Sequence, residues 1–147
     1  MAINVQVFCE VDSVRREAFS TLLSELISIV GADRVATLAT IFVVDAANVQ
    51  EAVSAVVQTI DPTVTYTPNP AYSARGVAVP LEQDSRLMST IVLARELLEL
   101  LAPPRIHPYE MVSTVLEELL HVSVYETTWH RRGVRAPPRP RFVRMRH

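Results

Sequence analysis

The chain has 147 residues, a formal net charge of −2 and a sequence pI near 6.1. Its length is that of one ordinary domain. Its composition, with 49% hydrophobic and 20% charged residues, excludes a natively disordered chain. The single cysteine, Cys9, excludes a disulfide framework and a multi-cysteine zinc knuckle.

The first half of the chain predicts alternating strands and helices. In chain order the patterns predict a strand at 3–7, a helix at 18–30, a strand at 38–44 and a helix at 49–60. Asp12 or Ser13 caps the first helix and Gly31 ends it, whereas Asn48 caps the second. The run at 38–44 is continuously apolar and rich in β-branched residues, which is typical of a central strand covered on both faces.

The segment after the second helix has weaker patterns. Val64 and Tyr66 predict a short edge strand, and the Pro-Asn-Pro sequence at 68–70 predicts a loop. Residues 76–79 predict another short strand.

Residues 85–101 allow two interpretations. Their composition favours a strand at 89–94 followed by a short helix at 95–101. The alternative is one helix that begins at Ser85.

The clearest predicted helix runs from Tyr109 to about Thr128. Pro108 precedes it and Glu110 lies in its first turn, as expected at the positive end of a helix dipole. Apolar side chains occupy about two-thirds of its circumference, which predicts a largely buried helix. Its polar stripe contains two carboxylates, an imidazole and a phenol: Glu117, Glu118, His121 and Tyr125.

The sequence at 115–122 resembles the active-site helix of the zincin metallopeptidases, whose motif is His-Glu-x-x-His. Glu117 and His121 have the i,i+4 spacing that lets two ligands bind one metal ion, with Glu118 between them. The resemblance implies that Glu118 is the general base and that His121 is a zinc ligand. Glu117 stands where the family has its first histidine, and a carboxylate is a harder and less directional ligand than an imidazole.

Zinc is the cofactor that this resemblance implies, with Glu117, His121 and His130 as its ligands. Glu126 and His107 are weaker alternatives for the third position. The helix pattern also fits a second interpretation, in which Glu117 and His121 form an ordinary ion pair on a solvated face.

The charges divide the chain into an acidic body and a basic tail. Residues 1–130 hold 7 arginines and all 16 acidic residues (7 − 16 = −9), whereas residues 131–147 hold 7 arginines and no acid (+7). The predicted partner-binding residues are these arginines: Arg131, Arg132, Arg135, Arg139, Arg141, Arg144 and Arg146. The prolines favour an extended arm. Such an arm could bind nucleic acid, dock on a protein partner or a second subunit, or remain solvated. Phe142, Val143 and Met145 favour docking on protein.

The sequence therefore predicts one α/β (α+β) domain of zincin-like type at 1–130, followed by an extended arm at 131–147. It has a mixed sheet, helices and a C-terminal helix like an active-site helix. The predicted function is a metal-dependent peptidase or a catalytically degenerate, metal-binding descendant of one. The alternative is a non-catalytic assembly or adaptor subunit whose arm docks on a partner. The N-terminus lacks the features of a signal peptide and no segment has the pattern of a membrane span, so we expect a cytoplasmic protein without a membrane partner.

Overall fold

The computed structural model describes residues 4–7, 10–67, 74–99, 101 and 109–135. Helices and strands alternate, and they end in a long helix. Their bounds in chain order are β1 Asn4–Val7, α1 Ser13–Val30, a 3-10 turn Ala32–Val35, β2 Leu38–Val44, α2 Gln50–Gln58, β3 Gly76–Gln83, β4 Arg86–Ala94, α3 Arg95–Glu99 and α4 Tyr109–Arg135.

The four strands form one mixed sheet in the order β1-β2-β4-β3. β1, β2 and β4 are parallel, so that Val5 pairs with Ile41 and Ile41 pairs with Ile91. β3 is an edge strand and runs antiparallel to β4, with Ala78 opposite Ile91. The predicted α/β class with a mixed sheet is confirmed.

Both faces of the sheet are covered, and β2 shows this most clearly. Ile41 and Val43 point to one face and pack in a core with α1, α3 and α4. Phe42 and Val44 point to the opposite face and pack in a second core that contains α2. The prediction of a central strand with two buried faces is therefore confirmed.

The ends of α1 follow the predicted capping residues. The Asp12 side chain accepts a hydrogen bond from the backbone N–H of Arg15 at 2.8 Å. Gly31 ends the helix with φ of +107°, a conformation that L side chains rarely adopt. At the start of α2, the Asn48 side chain accepts from the backbone N–H of Gln50 at 3.2 Å.

The predicted edge strand at Val64 and Tyr66 is wrong. Both residues are buried against α2, but their backbone is not in a strand. Side chains of α2 bind it instead: Ser54 Oγ donates to the Tyr66 carbonyl at 2.6 Å, and Gln58 donates to the Val64 carbonyl at 3.2 Å. The apolar alternation thus reflects burial without strand pairing.

β3 and β4 form a hairpin that the sequence does not predict, and both strands are longer than the predicted 76–79 and 89–94. Asp84 and Ser85 form its turn, both with positive φ (53° and 61°), as a type I′ turn requires. β4 therefore begins at Arg86, and the alternative of one helix from Ser85 is wrong. The favoured interpretation, a strand followed by a short helix, is confirmed.

The backbone groups of β3 alternate in direction. The Arg75 carbonyl accepts from the Ala94 N–H at 2.9 Å, so odd-numbered residues face β4 and even-numbered residues direct their N–H and C=O groups away from the sheet. Pro80 is even-numbered, so its missing N–H removes no bond to β4.

α4 is longer than predicted, because its backbone remains helical to Arg135. The prediction that an extended arm begins at residue 131 is therefore wrong for 131–135, and residues 136–147 lie outside the described part. Among the described helices, none combines the length and apolar content required to cross a membrane.

Candidate functional site

The polar stripe of α4 lies against the edge strand β3, and a glycine permits the close approach. A Cβ on Gly76 would lie 2.7 Å from Thr114 Cγ2 and 3.4 Å from Glu118 Cγ. The first distance is shorter than a real carbon–carbon contact, so any other residue at this position would force the Thr114 side chain or the helix to shift. This contact brings Glu118 to the backbone of β3.

Glu118 is a buried carboxylate at this contact, with only 5% of its surface exposed. Its Oε1 lies 3.0 Å from His121 Nδ1, and its carboxylate accepts a hydrogen bond from the backbone N–H of Ala78. Burial raises the pKa of Glu118 from its ordinary 4.5 to about 7, although these two hydrogen bonds act in the opposite direction. Desolvation therefore dominates, and the group exchanges a proton near neutral pH.

Tyr125 completes the group from one turn further along α4. Its phenol donates to the carbonyl of Ala78 at 3.4 Å, and its ring centroid lies 6.3 Å from that of His121. Burial, together with the negative charge of Glu118, raises the pKa of Tyr125 well above its ordinary value of 10. The phenol is therefore a neutral hydrogen-bond donor at physiological pH.

The predicted catalytic and metal-binding residues have very different surroundings. Glu118 and His121 are in contact, as the sequence predicts. Glu117 is exposed on the outer face of α4, and His121 is half-buried between it and Glu118. His130 lies on the described backbone of α4, but its side chain is outside the described residues, as is the whole of His107.

The described side chains do not fit a zinc centre. Zinc sites in proteins use three or four side-chain ligands. Within the part of the chain that the structure describes, no three His, Cys, Asp or Glu side chains are grouped so that they could hold a metal ion. Glu126, one of the two weaker alternatives for the third ligand, lines a separate cavity of about 450 Å³ with Asp33 and Arg34.

An arginine connects β3 to the first turn of α4. Arg75 Nε lies 3.1 Å from Glu96 Oε1, and its Nη1 contacts the carboxylate of Glu110. The three side chains are each nearly half exposed, so the ion pairs are partly screened by water. They join the start of β3, α3 and α4 at the end of the site nearest Gly76.

A second concave region lies at the carboxyl ends of the parallel strands, away from Glu118. Its volume is about 630 Å³, and its lining is Glu10, Val11, Asp12, Arg15, Arg16, Arg95, Leu98 and Glu99. Arg15 pairs with Asp12, and Arg95 pairs with Glu99 at 3.0 Å. Its charges largely neutralise one another, and it contains none of the predicted catalytic or metal-binding residues.

The predicted partner-binding arginines are divided by the end of α4. Arg131, Arg132 and Arg135 lie on its last helical turns, where the sequence predicts an extended arm. Arg139, Arg141, Arg144 and Arg146 lie outside the described residues.

Two parts of the site were not predicted as functional: the Ala78 backbone and the role of Tyr125. The spacing of four residues between His121 and Tyr125 is the signal that was present, because it places both on one face of the helix. No sequence signal identifies Ala78, which enters through its backbone. No protein-family model, curated protein or solved structure matches the chain.

Proposed function

We propose that this chain is a zincin-like peptidase with a degenerate metal site, in which the retained chemistry is proton transfer by Glu118 and His121. The observation that carries the proposal is the buried Glu118 carboxylate, bonded to His121 Nδ1 at 3.0 Å beside an edge strand. With a pKa of about 7, this carboxyl is about half ionised at neutral pH. A general acid or base works best when its pKa is close to the working pH.

His121 is the partner that orients this carboxylate. Contact through Nδ1 orients the imidazole ring, so a reacting molecule would meet the ring through its other nitrogen, Nε2. The His121 side chain is 36% exposed, so the imidazole can reach a molecule at the surface of α4. Glu118 can therefore hold or move a proton while His121 contacts the reacting molecule.

The proposed substrate class is a peptide or amide bond, and it rests on the resemblance of residues 115–122 to the zincin helix. Such a bond requires a base that activates water and an acid that protonates the leaving amine. Glu118 would serve in both roles, since a carboxyl that has accepted a proton can return it. No step of this proposal uses zinc, because the described side chains alone do not supply a zinc site, and the side chain of the predicted third ligand, His130, lies outside them.

Kinetics of a conservative substitution test the role of Glu118. We expect wild-type protein to hydrolyse a pool of internally quenched fluorogenic peptides, and Glu118→Gln to lower kcat/KM by about 10²- to 10⁴-fold. Glu117→Gln is the matched control, because it neutralises the adjacent carboxylate on the exposed face. Equal rates for wild type and Glu118→Gln, or no hydrolysis by wild type, would refute the proposal.

Zinc titration tests whether the metal function has been lost through Glu117. Glu117→His places a second imidazole one turn before His121, and we expect it to raise the affinity for zinc on the order of tenfold or more over wild type. Ser24→His is the control, because it adds an exposed histidine to α1 with no histidine or carboxylate three or four residues away. Stoichiometric, tight zinc in tag-free wild-type protein would contradict a degenerate site.

A second candidate function is an assembly or adaptor role, favoured by the outer face of α4. Leu120 and Val124 lie one turn apart and are 48% and 59% exposed. The helix continues to the arginines at 131, 132 and 135, which add positive charge to the sequence of the same helix. We expect the double change Leu120→Gln and Val124→Gln to lower the mass of an assembly, or to abolish capture of an acidic partner protein. An unchanged mass in sedimentation equilibrium, with unchanged capture, would exclude this role for α4.

A further inference from the structure

We propose that Tyr125 is a positioning residue for Glu118, and that the two side chains clamp the Ala78 peptide groups of β3 between them. We call Glu118, Tyr125 and the Ala78 backbone the Ala78 clamp. The proposal rests on the proposed function only in naming Glu118 as the group that moves the proton. The clamp itself depends only on the contacts between these three groups.

The hydrogen-bond register of the hairpin sets the direction of the Ala78 backbone. Arg75 bonds to Ala94, so Val77 and Val79 face β4, whereas Ala78 directs its N–H and C=O away from the sheet. An edge strand normally leaves such groups to water. Pro80, at the next outward position, is consistent with this register because it has no N–H to direct toward β4.

Side chains of α4 bind both outward groups of Ala78. The N–H donates to the Glu118 carboxylate, and the C=O accepts from the Tyr125 phenol at 3.4 Å. Glu118 and Tyr125 are seven residues apart, which is about two helical turns, so they lie on the same face of α4. The helix therefore bonds to this edge residue much as a neighbouring strand would.

Tyr125 acts on Glu118 through the strand. The carboxylate is located by two groups, the Ala78 N–H and His121 Nδ1. The phenol of Tyr125 holds the Ala78 carbonyl, and thereby holds this part of β3 against α4. Loss of the phenol oxygen would leave the carboxylate with His121 and a less constrained strand.

Hydrogen exchange measured by NMR tests the clamp without a substrate. In wild type we expect the Ala78 amide to be protected, although it points away from the sheet. Tyr125→Phe should accelerate its exchange about tenfold, with Val77 in the same strand unchanged. The ¹³C shift of the Glu118 carboxyl should also move in this variant, which a purely structural loss elsewhere would not cause.

A second tyrosine provides the matched control. Tyr109 lies in the first turn of α4 and is 80% exposed, so Tyr109→Phe removes a phenol from the same helix without touching the clamp. We expect it to leave Ala78 exchange and the Glu118 shift unchanged. Glu118→Ala should abolish the protection of Ala78, because it removes the acceptor of that N–H.

Three results would overturn the proposal. They are rapid exchange of Ala78 in wild type, unchanged exchange in Tyr125→Phe, and equal acceleration of Ala78 and Val77 in that variant. The last would mean that the phenol contributes only to global stability. Since no turnover is measured, an inactive protein with an intact clamp would refute the proposed function alone.

Discussion

The buried carboxyl of Glu118 makes a definite prediction about stability and pH. The folded protein holds a proton on Glu118 more tightly than the unfolded chain, because burial raises the pKa from 4.5 to about 7. Between these two values the folded state binds more protons, so its stability falls as the pH rises. The contribution is fully present below pH 4.5 and is lost once the pH has passed the folded value of about 7.

The size of the effect follows from the interval between the two pKa values. One pKa unit corresponds to about 1.4 kcal/mol, so the interval corresponds to about 3 kcal/mol of unfolding free energy. Glu118→Gln carries no proton equilibrium at this site. The difference in unfolding free energy, wild type minus Glu118→Gln, should therefore decrease by about 3 kcal/mol between pH 4 and pH 8.

Urea unfolding at half-unit pH intervals, followed by circular dichroism, measures this difference. Taking the difference between variants cancels the titration of all groups that both proteins share. Glu117→Gln is the control, because it changes an exposed carboxylate on the same helix, and it should retain most of the wild-type pH dependence. Parallel curves for wild type and Glu118→Gln would show that Glu118 is not buried as described.

Three further changes test the packing around the site. Gly76→Ala should lower the unfolding free energy by about 1–3 kcal/mol, because the added methyl group clashes with α4. Thr114→Ser in the same protein should recover part of this loss. A double-mutant cycle measured by urea unfolding tests the contact, and additive effects of the two changes would contradict it. Arg75→Met should lower the unfolding free energy by about 0.5–1 kcal/mol at low salt and by less at 1 M NaCl, because salt screens the ion pairs that it removes. A loss that does not depend on salt would exclude an ion-pair origin. Leu119→Ala should lower the unfolding free energy by about 2–5 kcal/mol, whereas Leu120→Ala at the exposed neighbouring position should lower it by less than about 0.5 kcal/mol. Equal losses would contradict the orientation of α4.

The sequence predicts those elements whose patterns arise from local burial. β2 has the predicted bounds, and α1 has the predicted cap at Asp12, because a continuous apolar run and a capping side chain are local signals. The hairpin after β3 was missed because its turn is Asp84-Ser85. Neither residue is glycine or asparagine, although both adopt positive φ, so the usual sign of a type I′ turn is absent.

The site was predictable in its residues but not in their surroundings. The spacing on α4 indicates that Glu118 and His121 are neighbours, and they are in contact. The burial of Glu118 depends on an edge strand that approaches through Gly76, which is a tertiary contact far away in sequence. Helical periodicity alone does not predict that a strand covers one side of the polar stripe. It therefore does not predict that Glu118 is buried while Glu117 stays exposed.

The outward register of Pro80 has a consequence for how molecules of this protein meet one another in concentrated solution. A second chain that tried to extend the sheet along β3 would find no donor at Pro80, and at Ala78 it would have to displace two side chains of α4. Strand-to-strand association along this edge would gain too few main-chain hydrogen bonds to repay its ordering. The contacts that position a carboxylate thus also protect the edge of the sheet from aggregation.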